Sequence, residues 1–251
     1  MFLYSTSLDL KLSYDSKMKQ FTIIIPIFNE VDSIFNLLSE INKEFKSKNI
    51  EILIVDDGSS DGFKEKKELL KTNFKIKVHS RNLGKCKAML TGIQSASNKI
   101  IGVLDGDGQN PPSELKKLFN FWIKIPQKDK KFALICGNRI SRQDTLIKRL
   151  SSKIANKFRK FILKDDCNDT ACALKVFSKS DYLKIPYFKN MHRFLPALFK
   201  MNNGKIFNIP VEDRKRFAGK SKYNFNNRFW VGIKDLYNIW ILVNFKKGDR
   251  L

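Results

Sequence analysis

Two short runs, Asp56-Asp57-Gly58-Ser59-Ser60-Asp61-Gly62 and Asp105-Gly106-Asp107-Gly108-Gln109, gather carboxylates and glycines in a chain that is otherwise strongly basic. Adjacent carboxylates repel one another, so a site that keeps several of them supplies a cation or a donor-rich ligand. Asp105-x-Asp107 on an extended turn aims two hard oxygen ligands at one Mg2+ or Mn2+, and Gln109 offers a third oxygen. Asp and Gly are also ordinary turn formers, so the meaning of both runs depends on where the fold puts them.

Each run follows an apolar, β-branched segment. Phe21–Ile27 reads as a buried strand and Asp32–Phe45 as a helix with Ile34, Leu37, Leu38, Ile41 and Phe45 on one face. Ile50–Val55 is the strand that delivers the first acidic run. Phe74–Val78 is a third strand, Lys85–Ala96 a helix, and Lys99–Leu104 the strand that delivers the second run. Pro112–Ile125 reads as a helix and Phe132–Cys136 as a strand. Strands alternating with helices define an α/β fold around a mostly parallel sheet covered on both faces. In such a sheet ligands bind beyond the carboxyl ends of the strands, where both acidic runs fall. Past Arg139 the rhythm breaks. Thr145–Leu163 is a basic helical stretch, Ala171–Phe177 is strand-like, Arg193–Met201 helical, and Ile206–Val211 a last strand. A basic loop and a tryptophan-bearing segment, Phe225–Phe245, close the chain.

Other nucleotide and metal motifs fit poorly. The first run resembles a calcium loop but follows a strand where that loop needs a helix. No GxGxxG occurs, and Gly219-Lys220-Ser221 has Arg214 where a phosphate loop starts with glycine. Cys86, Cys136, Cys167 and Cys172 form no CxxC pair, and with only His79 and His192 beside them they read as reduced thiols. The net charge is +23, from 48 Lys and Arg against 25 Asp and Glu. Such a field suits phosphate-rich partners, but no helix-turn-helix, zinc or RNA-binding motif accompanies it, so nucleic acid is not expected. Ten of the 48 cations are arginine and nine of these lie from Arg139 onward, which concentrates the better phosphate fork in the second half.

A series of short motifs in order carries a resemblance. It runs Ile25-Pro26-Ile27-Phe28-Asn29-Glu30, Val55-Asp56-Asp57-Gly58-Ser59, Arg81-Asn82-Leu83-Gly84-Lys85 and Asp105-Gly106-Asp107-Gly108-Gln109-Asn110-Pro111-Pro112. It continues with Gly137-Asn138-Arg139, Asp169 before Leu174-Lys175-Val176-Phe177, and Arg216-Phe217-Ala218-Gly219-Lys220-Ser221-Lys222-Tyr223. Together these resemble the family-2 glycosyltransferases, and among them the dolichol- or polyprenyl-phosphate glycosyltransferases. The resemblance implies the GT-A type nucleotide-sugar-binding fold. It implies a UDP- or GDP-linked sugar donor, a polyprenyl phosphate acceptor, a Mg2+ or Mn2+ cofactor and transfer with inversion.

Carried over residue by residue, the resemblance assigns Pro26, Phe28, Glu30, Val55, Asp57, Lys85, Asp105, Gly106 and Asp107 to the nucleotide sugar. Phe28 stands where tyrosine is usual, and Lys175 where arginine is frequent. Asp105, Asp107 and Gln109 would hold the metal. Arg139, Lys148, Arg149, Ser152 and Ser221 would meet the acceptor phosphate. Asp107, Arg139, Arg216 and Lys222 would form the catalytic set. A related enzyme that glycosylates a sugar hydroxyl needs a base, and Asp169 is the one obvious candidate. The expected organisation is a lead-in over 1–19, a catalytic domain over 20–212, and a basic loop with an amphipathic segment over 213–251. In that last segment Phe229, Trp230, Ile233, Leu236, Tyr237 and Trp240 form a helix-spaced stripe suited to a membrane interface. No run of apolar residues is long enough for a spanning helix, so the expected place is the cytoplasmic face of the membrane, as a peripheral protein.

Overall fold

A computed structural model describes residues 20–45, 50–66, 74–140, 156–217 and 235–242. Seven strands form one sheet in the order β3-β2-β1-β4-β6-β5-β7. They are β1 (Phe21–Ile27), β2 (Glu51–Asp56), β3 (Phe74–Val78), β4 (Ile100–Val103), β5 (Leu134–Arg139), β6 (Lys175–Ser178) and β7 (Ile206–Val211). All neighbours run parallel except β6, which is antiparallel to both β4 and β5. Four helices lie between the strands of the first half or just after them: α1 (Val31–Glu44), α2 (Phe63–Lys66), α3 (Lys85–Ser95) and α4 (Pro112–Lys124).

The continuous apolar run of β1 follows from burial on both faces, since every residue of that strand is buried. Alternate side chains serve two cores. Ile23, Ile25, Ile52 and Ile54 pack with Ile34, Leu37 and Leu38 of α1 and with Leu118 and Phe119 of α4. Ile24, Leu53 and Val55 pack with Ala88, Met89 and Ile93 of α3 on the other face.

One proline shapes the sheet's opening. The carbonyl of Ile24 accepts from Leu104 N–H at 3.1 Å, so this residue faces β4. Pro26, two positions on, turns the same way but has no N–H to give. Pairing of β1 with β4 ends at Ile24, whereas pairing with β2 continues to Ile27. The strands part beyond that point, in front of both acidic turns.

Several boundaries differ from the sequence expectation. β5 starts later than Phe132 and continues to Arg139, because β7 pairs with it along that whole length. The Ala171–Leu174 stretch is irregular rather than extended. It curls around the buried Lys175, whose ammonium donates to the carbonyls of Thr170 and Cys172. Residues 235–242 are helical, with Ile239 buried in the α3-side core and Leu236 and Leu242 packed against it. Tyr237 and Trp240 point outward and stack on one another, with centroids 6.3 Å apart.

Candidate active site

The turns after β1 and β2 are stitched together by side chains. Asn29, in the left-handed region at φ 52°, accepts from Ser60 N–H at 2.8 Å and donates its own N–H to Ser59 Oγ at 2.8 Å. Glu30 stands at the N-cap of α1 without capping it. Asp61 does so instead, its Oδ2 accepting from Val31 N–H at 2.7 Å. Glu30 therefore does not cap its own helix, and its carboxylate lies 3.9 Å from Arg216 Nη1.

Asp57 organises the third turn. Its Oδ1 accepts from Leu83 N–H at 2.9 Å and pairs with His79 Nδ1 at 2.7 Å, while Oδ2 accepts from Gly84 N–H at 2.7 Å. Gly58 makes the contact possible. It lies at φ +76°, and a Cβ there would come within 2.5 Å of the Arg81 backbone. The Arg81–Lys85 motif is therefore wrapped around Asp57, and that placement sets the start of α3. Lys85, the first residue of α3, reaches Asp105 Oδ1 at 2.5 Å.

At the end of β4 Asp107 is almost fully buried. Its Oδ1 accepts from Gln109 N–H at 3.0 Å and its Oδ2 meets Arg216 Nη2 at 3.1 Å. Burial first, and the neighbouring Asp105 carboxylate second, push the Asp107 carboxyl up to about 6, against the pull of Gln109 N–H and Arg216. A carboxylate so disfavoured as an anion, beside a second one, is a donor set that a hard divalent cation relieves. Arg216 also approaches Glu30, at 3.9 Å. Gly106 backs onto Ile27, where a Cβ would meet the isoleucine Cγ2 at 2.5 Å.

The other end of the site lies at the end of β5. Arg139 holds Asp169 in a fork, Nε to Oδ2 at 2.7 Å and Nη2 to Oδ1 at 3.1 Å, and its Nη1 lies 3.7 Å from Asp213. Burial alone would favour a neutral guanidine, but the Asp169 bonds and charge outweigh it and hold Arg139 firmly cationic. Asp169 itself is set by a braced loop: the buried Arg159 donates to Thr170 Oγ1 at 2.6 Å, to the Cys167 carbonyl at 2.5 Å and to Asp165 at 3.2 Å. A cavity of about 530 Å3 opens here, lined by Asn138, Arg139, Lys157, Lys160, Asn168 and Asp169. Asp213 joins the two ends, since Asn110 at the acidic turn donates to it at 3.3 Å.

The sequence-derived residues thus fall into distinct groups. Glu30, Lys85, Asp105, Asp107 and Arg216 converge, with Pro26, Phe28 and Gly106 on the adjoining strand ends and Gln109 held by its backbone. Val55 is fully buried under α3, so its side chain belongs to the core. Arg139 stands in the second group. Lys148, Arg149, Ser152, Ser221 and Lys222 lie outside the described residues, as do Phe229, Trp230 and Ile233. Sequence reasoning passed over His79, Glu40, Asp213 and Arg214. The Asp213-Arg214-Lys215-Arg216 run marked a basic loop, but nothing in it singled out Arg214.

A mostly parallel sheet with acidic turns at the carboxyl ends of β2 and β4, and an antiparallel β6 inserted beyond β4, is the GT-A glycosyltransferase fold. The model of the family described as Glycosyl transferase family 2 matches residues 22–185. The chain belongs to that family. It is 30% identical over 216 residues to the undecaprenyl-phosphate 4-deoxy-4-formamido-L-arabinose transferase of Salmonella choleraesuis (strain SC-B67), covering 83% of this chain. Against the protein of that name from Salmonella paratyphi B it is 29% identical. The match spans 64% of the length of each of these relatives. Among solved structures, glucosyl-3-phosphoglycerate synthase from Mycobacterium tuberculosis, in complex with Mn2+, UDP and glucosyl-3-phosphoglycerate, superposes with a TM-score of 0.69. That likeness covers 92% of this chain and 81% of the other at 11% identity.

Proposed function

We propose that this chain transfers a sugar from a UDP- or GDP-linked donor to a polyprenyl phosphate, with inversion and with a divalent cation, Mg2+ or Mn2+, held by Asp105, Asp107 and Gln109. The observation that carries the reading is the pairing of two sites through one residue. An acidic turn whose carboxylates face Lys85 and Arg216 is linked by Asp213 to a cavity lined by Arg139, Lys157 and Lys160. The first suits a metal with a donor diphosphate and the second suits an acceptor phosphate. The relatives named for undecaprenyl-phosphate transfer support that acceptor class, and the neighbour bound to Mn2+ and UDP supports the metal and the donor class.

The chemistry is consistent with these side chains. A lipid monophosphate, with a second pKa of about 6, is already a dianion near neutral pH and needs no side-chain base. The difficulty is bringing two polyanions together, which calls for fixed cations and orientation. A bound metal would supply charge neutralisation for the departing nucleoside diphosphate. Lys85 and Arg216, which pair with Asp105 and Asp107, would supply the cations for the diphosphate oxygens. Arg139, kept rigid by Asp169, orients the incoming phosphate.

The same reading assigns residues 20–212 to the catalytic domain and 213–251 to a closing loop and a membrane-surface segment. No helix among the described residues is long and apolar enough to cross a membrane. Contact with a cytoplasmic membrane face would instead run through exposed aromatics, Tyr237 and Trp240, and Phe158 and Phe161 beside Lys157 and Lys160. The test is to incubate the purified chain with a panel of UDP- and GDP-sugars, Mn2+ and undecaprenyl phosphate, and to weigh the lipid. A lipid heavier by one glycosyl unit is the expected product. Turnover of a donor onto a sugar hydroxyl, with the lipid phosphate untouched, would overturn the acceptor assignment.

A further inference from the structure

Residues 212–217 lie across the second acidic turn, and three successive carbonyls of that turn accept hydrogen bonds from them. Phe217 N–H donates to Asp107 O at 3.3 Å, Arg214 Nε to Gly108 O at 2.7 Å, and Arg214 N–H to Gln109 O at 3.0 Å. Two of the three come from Arg214. Its remaining guanidinium nitrogens form a fork on Glu40 of α1, Nη1 at 3.1 Å and Nη2 at 2.6 Å. The guanidinium also lies 4.3 Å from the centre of the Phe217 ring. Gly108 has room for that ring only because it lacks a side chain: at φ +73° a Cβ would stand 2.3 Å from Phe217.

We propose that Arg214, locked to Glu40, is the positioning residue that pins this strap over the acidic turn and so places Arg216 between Asp107 and Glu30. The proposal rests on the reading that the turn receives the donor's metal and diphosphate, but the pin itself is separable from it. Arg214 touches none of the carboxylates of the turn. It acts through Arg216 and Phe217, its neighbours on the strap, and through a helix rooted by the fully buried Ile34, Leu37 and Ile41. A solitary half-exposed ion pair would do little. This one is bidentate and shares its cation with a third, backbone acceptor, an arrangement open to the five-donor fork of arginine and closed to lysine.

Trypsin reads the pin directly, because Arg214, Lys215 and Arg216 all lie on the strap. Proteolysis of this kind follows the population of the opened segment. Glu40→Gln keeps all three cleavage sites and lies outside the donor machinery. It is expected to speed cleavage within residues 212–217 about tenfold, as loss of roughly one decade of closing equilibrium requires, while melting within a few degrees of wild type. Arg214→Lys is expected to do the same, and the double variant to be no worse than either single one, since both break one pair. In parallel, Mn2+-dependent binding of UDP and GDP, measured by calorimetry, should weaken several-fold in each variant for whichever nucleotide the wild type binds. Wild-type cleavage rates in both single variants would overturn the pin whatever the nucleotides do. Faster cleavage with unchanged nucleotide affinity would overturn the role in placing Arg216. A wild-type chain that binds neither nucleotide in Mn2+ would instead strike the donor reading and leave the cleavage result to decide the pin.

Discussion

Arg216 Nη2 stands 3.1 Å from Asp107 Oδ2, a carboxylate more than a hundred residues earlier that is buried at the end of β4. With Lys85 on Asp105, the acidic turn is charge-matched by cations from two distant segments. On the proposed reading, these pairs would exchange partners when a metal and a diphosphate bind together.

Asp107→Asn keeps the shape of the turn and removes the negative charge that the proposed metal site needs. Transfer should fall by about 100-fold or more, in line with the removal of a group that stabilises charge in the reacting complex. EDTA should silence the wild type in the same way, with recovery in Mn2+. Stability should move the other way. A folded-state value of about 6 against an ordinary 3.8 means the folded protein keeps this proton longer, so the group becomes unfavourable as pH rises through that range. At pH 8 in chelator the variant is expected to melt no lower than wild type, and unlike wild type to gain nothing from Mn2+. A variant that retains full transfer removes Asp107 from the metal site.

Asp169 has both oxygens on Arg139, which is the geometry of an orienting group rather than a free base. Asp169→Asn should raise the KM for the lipid phosphate more than it lowers kcat, because the fork loses its charge and one acceptor. The pH–rate profile should keep its shape. Loss of the acidic limb of that profile in the variant would identify Asp169 as the base of a hydroxyl-directed reaction.

Glu51 tests the sheet rather than the chemistry. Its carboxylate accepts from Thr22 Oγ1 at 2.5 Å, Lys75 Nζ at 2.5 Å and Ser97 N–H at 2.7 Å, tying β1, β2 and β3 to the turn after α3. Burial alone would raise its carboxyl, but these partners overcome it and bring the value down to about 2 from 4.5. The stabilisation is therefore complete above about pH 4.5 and lost as pH falls toward 2. Glu51→Gln should cost on the order of 1 kcal/mol at pH 7 after solvent screening. In urea titrations its deficit should shrink steadily as the pH is lowered below 4.

The C-terminal helical residues separate core from surface within two turns. Tyr237→Ser with Trp240→Ser should leave the melting temperature within a few degrees of wild type and reduce binding to anionic vesicles in a sedimentation assay. Ile239→Ser, which opens a hole in the core, should cost about 2 to 4 kcal/mol. Vesicle binding that survives the aromatic pair's removal would move the membrane face elsewhere, with Phe158 and Phe161 the next surface to test.

Much of this was legible in the sequence because it is local. Phe21–Ile27, Phe74–Val78 and Ile206–Val211 have the bounds their apolar runs implied, and both acidic runs sit directly after the strands that deliver them. Period and composition act within a few residues, so they could fix elements, the α/β class and the end of the sheet at which carboxylates gather. The ordered motifs carried the family for the same reason, each being a short contiguous turn.

What only the tertiary structure decided was which charges meet. The resemblance assigns Asp57 to the nucleotide sugar, and the structure adds that its oxygens also hold the Leu83–Gly84 turn, and through it Lys85. Asp169 reads in sequence as the candidate base or a loop residue, and only the fold shows that a braced loop carries it onto Arg139. Arg214 and Glu40 are 174 residues apart, and no period or motif relates them. The C-terminal stripe is broken in sequence by Lys234 and Asp235, and beyond that break a buried Ile239 and an exposed Trp240 are neighbours in sequence on different faces of one helix. A charge or an aromatic ring suits water, a lipid surface or a partner equally well by type alone. Its role is set by the desolvation and the counter-charge that packing imposes, and those depend on the path of the chain between distant residues.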